Sequence, residues 1–267
     1  MKRPSWLLTL GVALLYVFLY APIVVVIVFS FNAARYGGPW TGFTTAWYGR
    51  LLDSPEKLLA ARNTLVLAVV STLFSTVLGT LLGFGLSRYR FPGQKLFSWL
   101  MYIPVVIPDI VMAVAMLMFY GLVRQTLGLF ELGLATMIVS HVTFQIPFVA
   151  IVVRSRLVGM DPAIEEAAHD LGANAWQTFR LVTLPMILPA VVAGGMLAFT
   201  LSLDDFVVSF FTTGPGANTL PILIYASVKR GITPDINALS SLIILASVLG
   251  TIAMMLAERR QEPRGTS

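Results

Sequence analysis

Six stretches of apolar residues, each close to the length that crosses a bilayer, limit what this chain can become more than any other feature. They lie at about 9–31, 63–87, 99–123, 133–153, 187–210 and 238–257. A hydrocarbon core about 30 Å thick takes about 20 residues of helix at a rise of 1.5 Å per residue. Inside it no water is available to bond backbone N–H and C=O groups, so runs of this length are satisfied as helices. The expected fold is therefore an all-α polytopic membrane protein with about six transmembrane helices, a single transmembrane domain over 1–267. Composition agrees, since 57% of the residues are hydrophobic and 12% charged, too few charges to clothe a water-soluble domain.

Basic residues set the expected orientation. The net charge of +5 is dispersed beside the apolar runs, which is the pattern of topology signals and not of a nucleic-acid-binding face. With the N-terminus inside, eleven of the eighteen Lys and Arg residues fall on the cytoplasmic side, among them Lys2, Arg3, Arg88, Arg90, Lys95, Arg154 and Arg156. The C-terminus then lies inside as well. Lys2 and Arg3 before Leu7 to Phe31 resemble a signal sequence, but the run is long and has no clear cleavage site, so it is read as a retained first span. With no cysteine present, disulfides and thiolate metal sites are excluded. His141 and His169 fall in different segments, and no metal site is expected.

One polar stretch interrupts the apolar pattern, DPAIEEAAHDLGANAWQTFRLVTLP from Asp161 to Pro185. Asp161 can cap a helix that has Pro162 in its first position, and Glu165 and Glu166 sit in the early turns, where the helix dipole favours anions. Gly172 can stop that helix, and Asn174 with Gln177 can cap a second one running to Leu184 and Pro185. A helix, glycine, helix unit outside the bilayer is expected, and taken alone it is also compatible with an amphipathic loop resting on the membrane surface.

The spacing of Glu166, Ala167 and Ala168, then Gly172, then Leu184 and Pro185 resembles the EAA signature of the membrane subunits of ABC importers, with Val182 at the position that is most often Ile. The resemblance implies a type I ABC importer permease fold in a bacterial cytoplasmic (inner) membrane. It implies that the loop 161–185 is cytoplasmic and that its first helix docks on an ATPase subunit, with Glu165, Glu166, Ala167, Ala168, Gly172, Leu184 and Pro185 as coupling residues. The implied partners are a second EAA-bearing permease subunit, a related chain, two ATPase subunits and an external substrate-binding protein, with lipid around the spans. No G-x-x-x-x-G-K-[ST] motif occurs, so ATP and Mg belong to the partner ATPase and no cofactor to this chain; it is not itself an enzyme.

Polar residues within the spans mark seams and a candidate pathway. Ser71, Ser75, Gly79 and Gly83 recur every fourth residue, a stripe that lets another helix approach closely. Pro104 and Pro108 interrupt the third span ahead of Asp109, which either caps the freed amides or faces a pathway. His141 and Gln145 share a helix face that suits packing or a pathway wall. In Leu201–Ser209, residues Ser202, Asp205 and Ser209 share one face of a continuous helix and Asp204 points about 100° away. The L-S-x-D-D-F string of Leu201 to Phe206 resembles spermidine and putrescine permeases, as W-x-G-F-T-x-x-W-Y from Trp40 to Tyr48 resembles the permease family more broadly. The implied function is translocation of a polyamine. Permeases for iron, thiamine or aminophosphonate are the alternative, a secondary cation transporter a more distant one, and an intramembrane aspartyl protease lacks its G-x-G-D context.

Overall fold

The structure is a computed structural model that describes residues 6–34, 38–231, 233–245 and 248. Its helices are α1 (Trp6–Phe29), α2 (Ala46–Leu52), α3 (Pro55–Arg88), α4 (Gln94–Val106), α5 (Asp109–Leu127), α6 (Leu134–Val158), α7 (Ala163–Asp170), α8 (Ala175–Thr178), α9 (Leu184–Leu203), α10 (Val207–Thr212) and α11 (Leu220–Arg230). A twelfth, α12, runs Pro234–Leu245. Among the described residues the extended backbone is limited to one isolated bridge between Asn32 and Phe43. Among the described residues five helical runs are long and apolar enough to cross a membrane, Trp6–Phe29, Pro55–Arg88, Asp109–Leu127, Leu134–Val158 and Ala175–Leu203. The chain is thus an all-α polytopic membrane protein. The sixth expected span, 238–257, starts in α12 and continues outside the described residues, as does the tail Gln261 to Ser267.

Three spans differ from their expected bounds, each for a local reason. The second, expected at 63–87, is preceded by Glu56 to Ala61 as the first turns of α3, because Pro55 suits a helix start and nothing breaks the chain before Arg88. The third span is two helices, since Ile107 is extended (φ −71°, ψ 135°) as a residue before proline tends to be. The fifth, expected at 187–210, begins at Ala175 and ends at Leu203. A π-helical turn, Phe179–Thr183, joins α8 directly to α9, so the second short helix of the loop is the root of the span.

Two compact units divide the chain, Leu59–Leu223 and the pair of segments Met1–Leu58 and Ile224–Ser267. In the first, α6 is the central element and packs on α4, α9 and α10. Val149, Val153 and Leu157 of α6 meet Ile187 and Ala198 of α9 in a fully buried cluster. The small-residue stripe of α3 is the other side of this seam. A Cβ on Gly79 would lie 2.6 Å from that of Val149, and one on Gly83 would lie 2.8 Å from the Ala150 carbonyl oxygen. Packing, with no hydrophobic gain available in lipid, is what such contact contributes.

In the second unit, the segment after α1 folds back on itself. The Trp47 indole N–H donates to the Asn32 carbonyl at 2.8 Å, and Asn32 Oδ1 accepts from the Thr41 amide at 3.0 Å. Phe31 stacks on Phe43 with ring centroids 5.2 Å apart, and the Ser30 and Tyr48 hydroxyls are 2.7 Å apart. Trp47 is therefore a buried tie between the two ends of this segment. Lys57 and Asp235 form an ion pair in the same unit.

Candidate functional site

The loop between α6 and α9 is built by local hydrogen bonding. The Asp161 carboxylate accepts from the Ala163 amide at 3.0 Å and opens α7, although Pro162 holds the formal cap position. At the other end the Ala173 amide donates to the Ala168 carbonyl at 3.0 Å and the Gly172 amide to the His169 carbonyl at 2.9 Å, a Schellman closure. It needs a left-handed residue, and Gly172 has φ +84°. Asn174 and Gln177 then form a reciprocal capping box, both bonds at 2.9 Å.

The residues expected to couple do not all sit alike. Glu166 and Ala167 are exposed on α7, Ala168 is half-buried, and Pro185 is exposed in the first turn of α9. Leu184 packs against the core of α6 and α9. Glu165 turns inward, with Oε2 2.8 Å from Arg88 Nε and Oε1 accepting from the Thr183 hydroxyl at 2.7 Å. Sequence reading passed over three large apolar side chains on the same knuckle, Leu171, Trp176 and Leu181, which are 89%, 65% and 69% exposed. Their signal was present: bulky apolar residues inside a polar loop.

The second constellation lies where the fifth span breaks. α9 ends at Leu203, Asp204 to Phe206 leave the helix, and α10 restarts at Val207. Asp205 accepts from the Val208 amide (3.2 Å) and the Ser209 amide (2.7 Å), so it caps the first turn of α10. His141 of α6 bridges the gap. Its Nδ1 is 2.8 Å from Ser202 Oγ on α9 and its Nε2 is 3.0 Å from Ser209 Oγ on α10. Nε2 also lies 3.3 Å from Asp205 Oδ2. A carboxylate oxygen only accepts, which places an N–H on Nε2 and leaves Nδ1, in the neutral ring, to accept from Ser202. Ser202 Oγ in turn lies 3.2 Å from Ser71 Oγ of α3.

A layer not foreseen from sequence supports this site. The Tyr120 hydroxyl of α5 is 3.0 Å from the Thr136 carbonyl and 2.8 Å from Ser140 Oγ, while Thr136 Oγ1 donates to the Thr212 carbonyl at 2.9 Å. Gln145 Nε2 donates to the Ala198 carbonyl at 3.0 Å, and His141 and Gln145 are wholly buried. Asp109 and Asp204 differ from Asp205. Both are exposed, and neither carboxylate has a hydrogen-bond partner from another residue among the described ones. Asp109 begins α5 about 16 Å, eleven helical residues, before Tyr120. The two exposed acids therefore mark two levels, each at a helix break. No group of three or more His, Cys, Asp and Glu residues able to hold a metal occurs among the described residues.

Two broken spans, each with an exposed acid at its break, and a capped helix-turn-helix knuckle between α6 and α9 are features of the membrane-embedded component of a solute transporter. Residues 75–266 match the family model for the binding-protein-dependent transport system inner membrane component. The chain is 44% identical over 245 residues to the spermidine/putrescine transport system permease protein PotC of Escherichia coli K12, covering 92% of this chain and 91% of that one. It is 40% identical over 252 residues, 93% and 90% of the two chains, to the putrescine transport system permease protein PotI of the same strain. Its fold is similar to a chain of the bacterial alginate ABC transporter solved in complex with alginate pentasaccharide-bound periplasmic protein, with a TM-score of 0.75 at 21% identity over 96% and 94% of the chains. The chain belongs to the binding-protein-dependent transport system inner membrane components, the permease subunits of ABC importers. It is a multi-pass inner-membrane subunit that works with a binding protein, and ATP hydrolysis falls to separate subunits.

Proposed function

We propose that this chain is the permease subunit of an ATP-driven polyamine importer. The observation that carries the reading is the 44% identity, nearly end to end, to a spermidine/putrescine permease. The two exposed acids, Asp109 and Asp204, support it. A di- or polyamine carries separated ammonium groups, and carboxylates at two levels can receive them in succession, Asp204 from the outer side and Asp109 deeper. In a partly dehydrated passage each contact gains over its value in water, yet must stay weak enough to release. Asp205 serves differently: committed to two amides and His141, it holds the break that presents Asp204.

The loop 161–185 faces the cytoplasm in this reading, with both termini, and α7 docks on one of two ATPase subunits that carry ATP and Mg. A second, related EAA-bearing subunit completes the passage, and an external binding protein delivers the substrate. The exposed Leu171 and Trp176 support a protein partner on this knuckle, since large apolar side chains exposed in a polar loop suit an interaction site. Closure of the ATPase pair moves α7, and the spans on either side of it reorient the passage.

The test is uptake of labelled spermidine by the reconstituted transporter with Asp109→Asn and Asp204→Asn, singly and together. Each change is expected to lower uptake by about tenfold, the effect of losing on the order of 1.4 kcal/mol of charge contact, with assembly intact. Full uptake in the double variant would reject the two-step passage.

A further inference from the structure

The EAA glutamate, Glu166, points away from the protein, but its neighbour Glu165 does not. Its carboxylate, 17% exposed, joins three elements. Oε2 lies 2.8 Å from Nε of Arg88, the last residue of α3, and Oε1 accepts the Thr183 hydroxyl at 2.7 Å from the final residue of the π turn that opens α9. The Arg88 contact has ion-pair distance without hydrogen-bond alignment, and among the described residues Arg88 Nη2 is buried with no hydrogen-bond partner, so Glu165 is its counter-charge. An apolar contact runs alongside, where the rings of Phe84 on α3 and Phe179 in the π turn meet edge to face at 4.9 Å. The end of α3 is itself tied onward, since Gln94 of α4 donates to the carbonyls of Leu86 (2.9 Å) and Tyr89 (3.0 Å). A π turn is rare inside a helix and is found often at functional sites.

We infer that Glu165 is the positioning residue that ties α7 to both flanking spans, so that displacement of α7 is carried to α3 through Arg88 and to the root of α9 through Thr183. The inference rests on the proposed docking of α7 on an ATPase. Two carboxylate oxygens serve two different spans, so one short helix drives both together. Exposed Glu166 is left for the partner.

The experiment uses the reconstituted full transporter and reads spermidine taken up per ATP hydrolysed. Glu165→Ala severs both ties, Arg88→Gln and Thr183→Val one each. The ratio is expected to fall about fivefold or more in Glu165→Ala, the lower edge of usual site-to-site coupling, and less in the single-tie variants. The charge exchange Arg88→Glu with Glu165→Arg restores the ion pair alone and is expected to recover the part of the loss that Arg88→Gln shows, with the Thr183 tie still cut. Crosslinking of Leu171→Cys to the ATPase is measured in parallel. Intact crosslinking with an unchanged ratio in Glu165→Ala overturns the tie, whereas absent crosslinking in the parent protein overturns docking. The tie has its own readout in the isolated subunit, through spin labels on cysteines introduced at Arg90 and Asp170 of this cysteine-free chain. Their distance distribution is expected to broaden in Glu165→Ala, and an unchanged distribution overturns the tie whatever docking does.

Discussion

Asp205→Ala is expected to destabilise the subunit by on the order of 2 kcal/mol or more, and Asp205→Asn by much less. Alanine removes the acceptor for two backbone amides at the start of α10 and the carboxylate beside His141. Losing a helix cap alone costs about 0.5–2 kcal/mol, and a buried donor left without a partner adds about 1–3 kcal/mol. Packed between helices, these amides have little water to turn to, so solvation does not recover the loss. Asparagine keeps an acceptor oxygen and therefore most of the cap. Thermal unfolding of the detergent-solubilised transporter checks this. If both variants unfold like the parent protein and both abolish uptake, Asp205 contacts the substrate and does not hold the break.

The second large effect is expected at Gly172. Its φ of +84° closes α7 into the turn before α8, and nothing lies within 4 Å of where a Cβ would sit. Substitution there tests backbone conformation without a clash inside the chain. A non-glycine residue in the left-handed region costs about 1–2 kcal/mol, with β-branched side chains worst and asparagine well tolerated. Gly172→Val is expected to misplace α7 and lose most ATP-dependent uptake, and Gly172→Asn to keep most of it. Equal loss in both would mean that the position demands space for a partner surface and not a left-handed backbone.

What could be read from the sequence was whatever local chemistry decides. Asp161, Gly172 and the Asn174–Gln177 box are short-range devices, and each makes the bonds its residue type predicts. The α3 stripe was legible for a similar reason, since small residues at a four-residue period leave room on one face. Features set by tertiary contact were not legible. A helical projection through 202–209 grouped Ser202, Asp205 and Ser209 on one face of an unbroken helix. The helix stops at Leu203, and the three residues meet because the His141 ring reaches across the gap. Equally, hydropathy began the fifth span at Ile187, because it cannot see that α8, with polar Gln177, and a π turn, with Arg180, carry the helix backbone into α9. Nothing in the local sequence marks Trp47 or Tyr120 as the residues whose polar atoms tie distant backbone carbonyls.

Crosslinking between a cysteine at Leu171 and cysteines placed across the face of the ATPase tests most directly whether a nucleotide-driven partner grips the knuckle. The predicted result is a product of the combined mass, formed in native membranes, whose yield changes between nucleotide-free and ATP-bound states. No product from Leu171, or from Ala163 and Ala167 on the same helix, would contradict the proposal that α7 carries the motion of the ATPase into the spans.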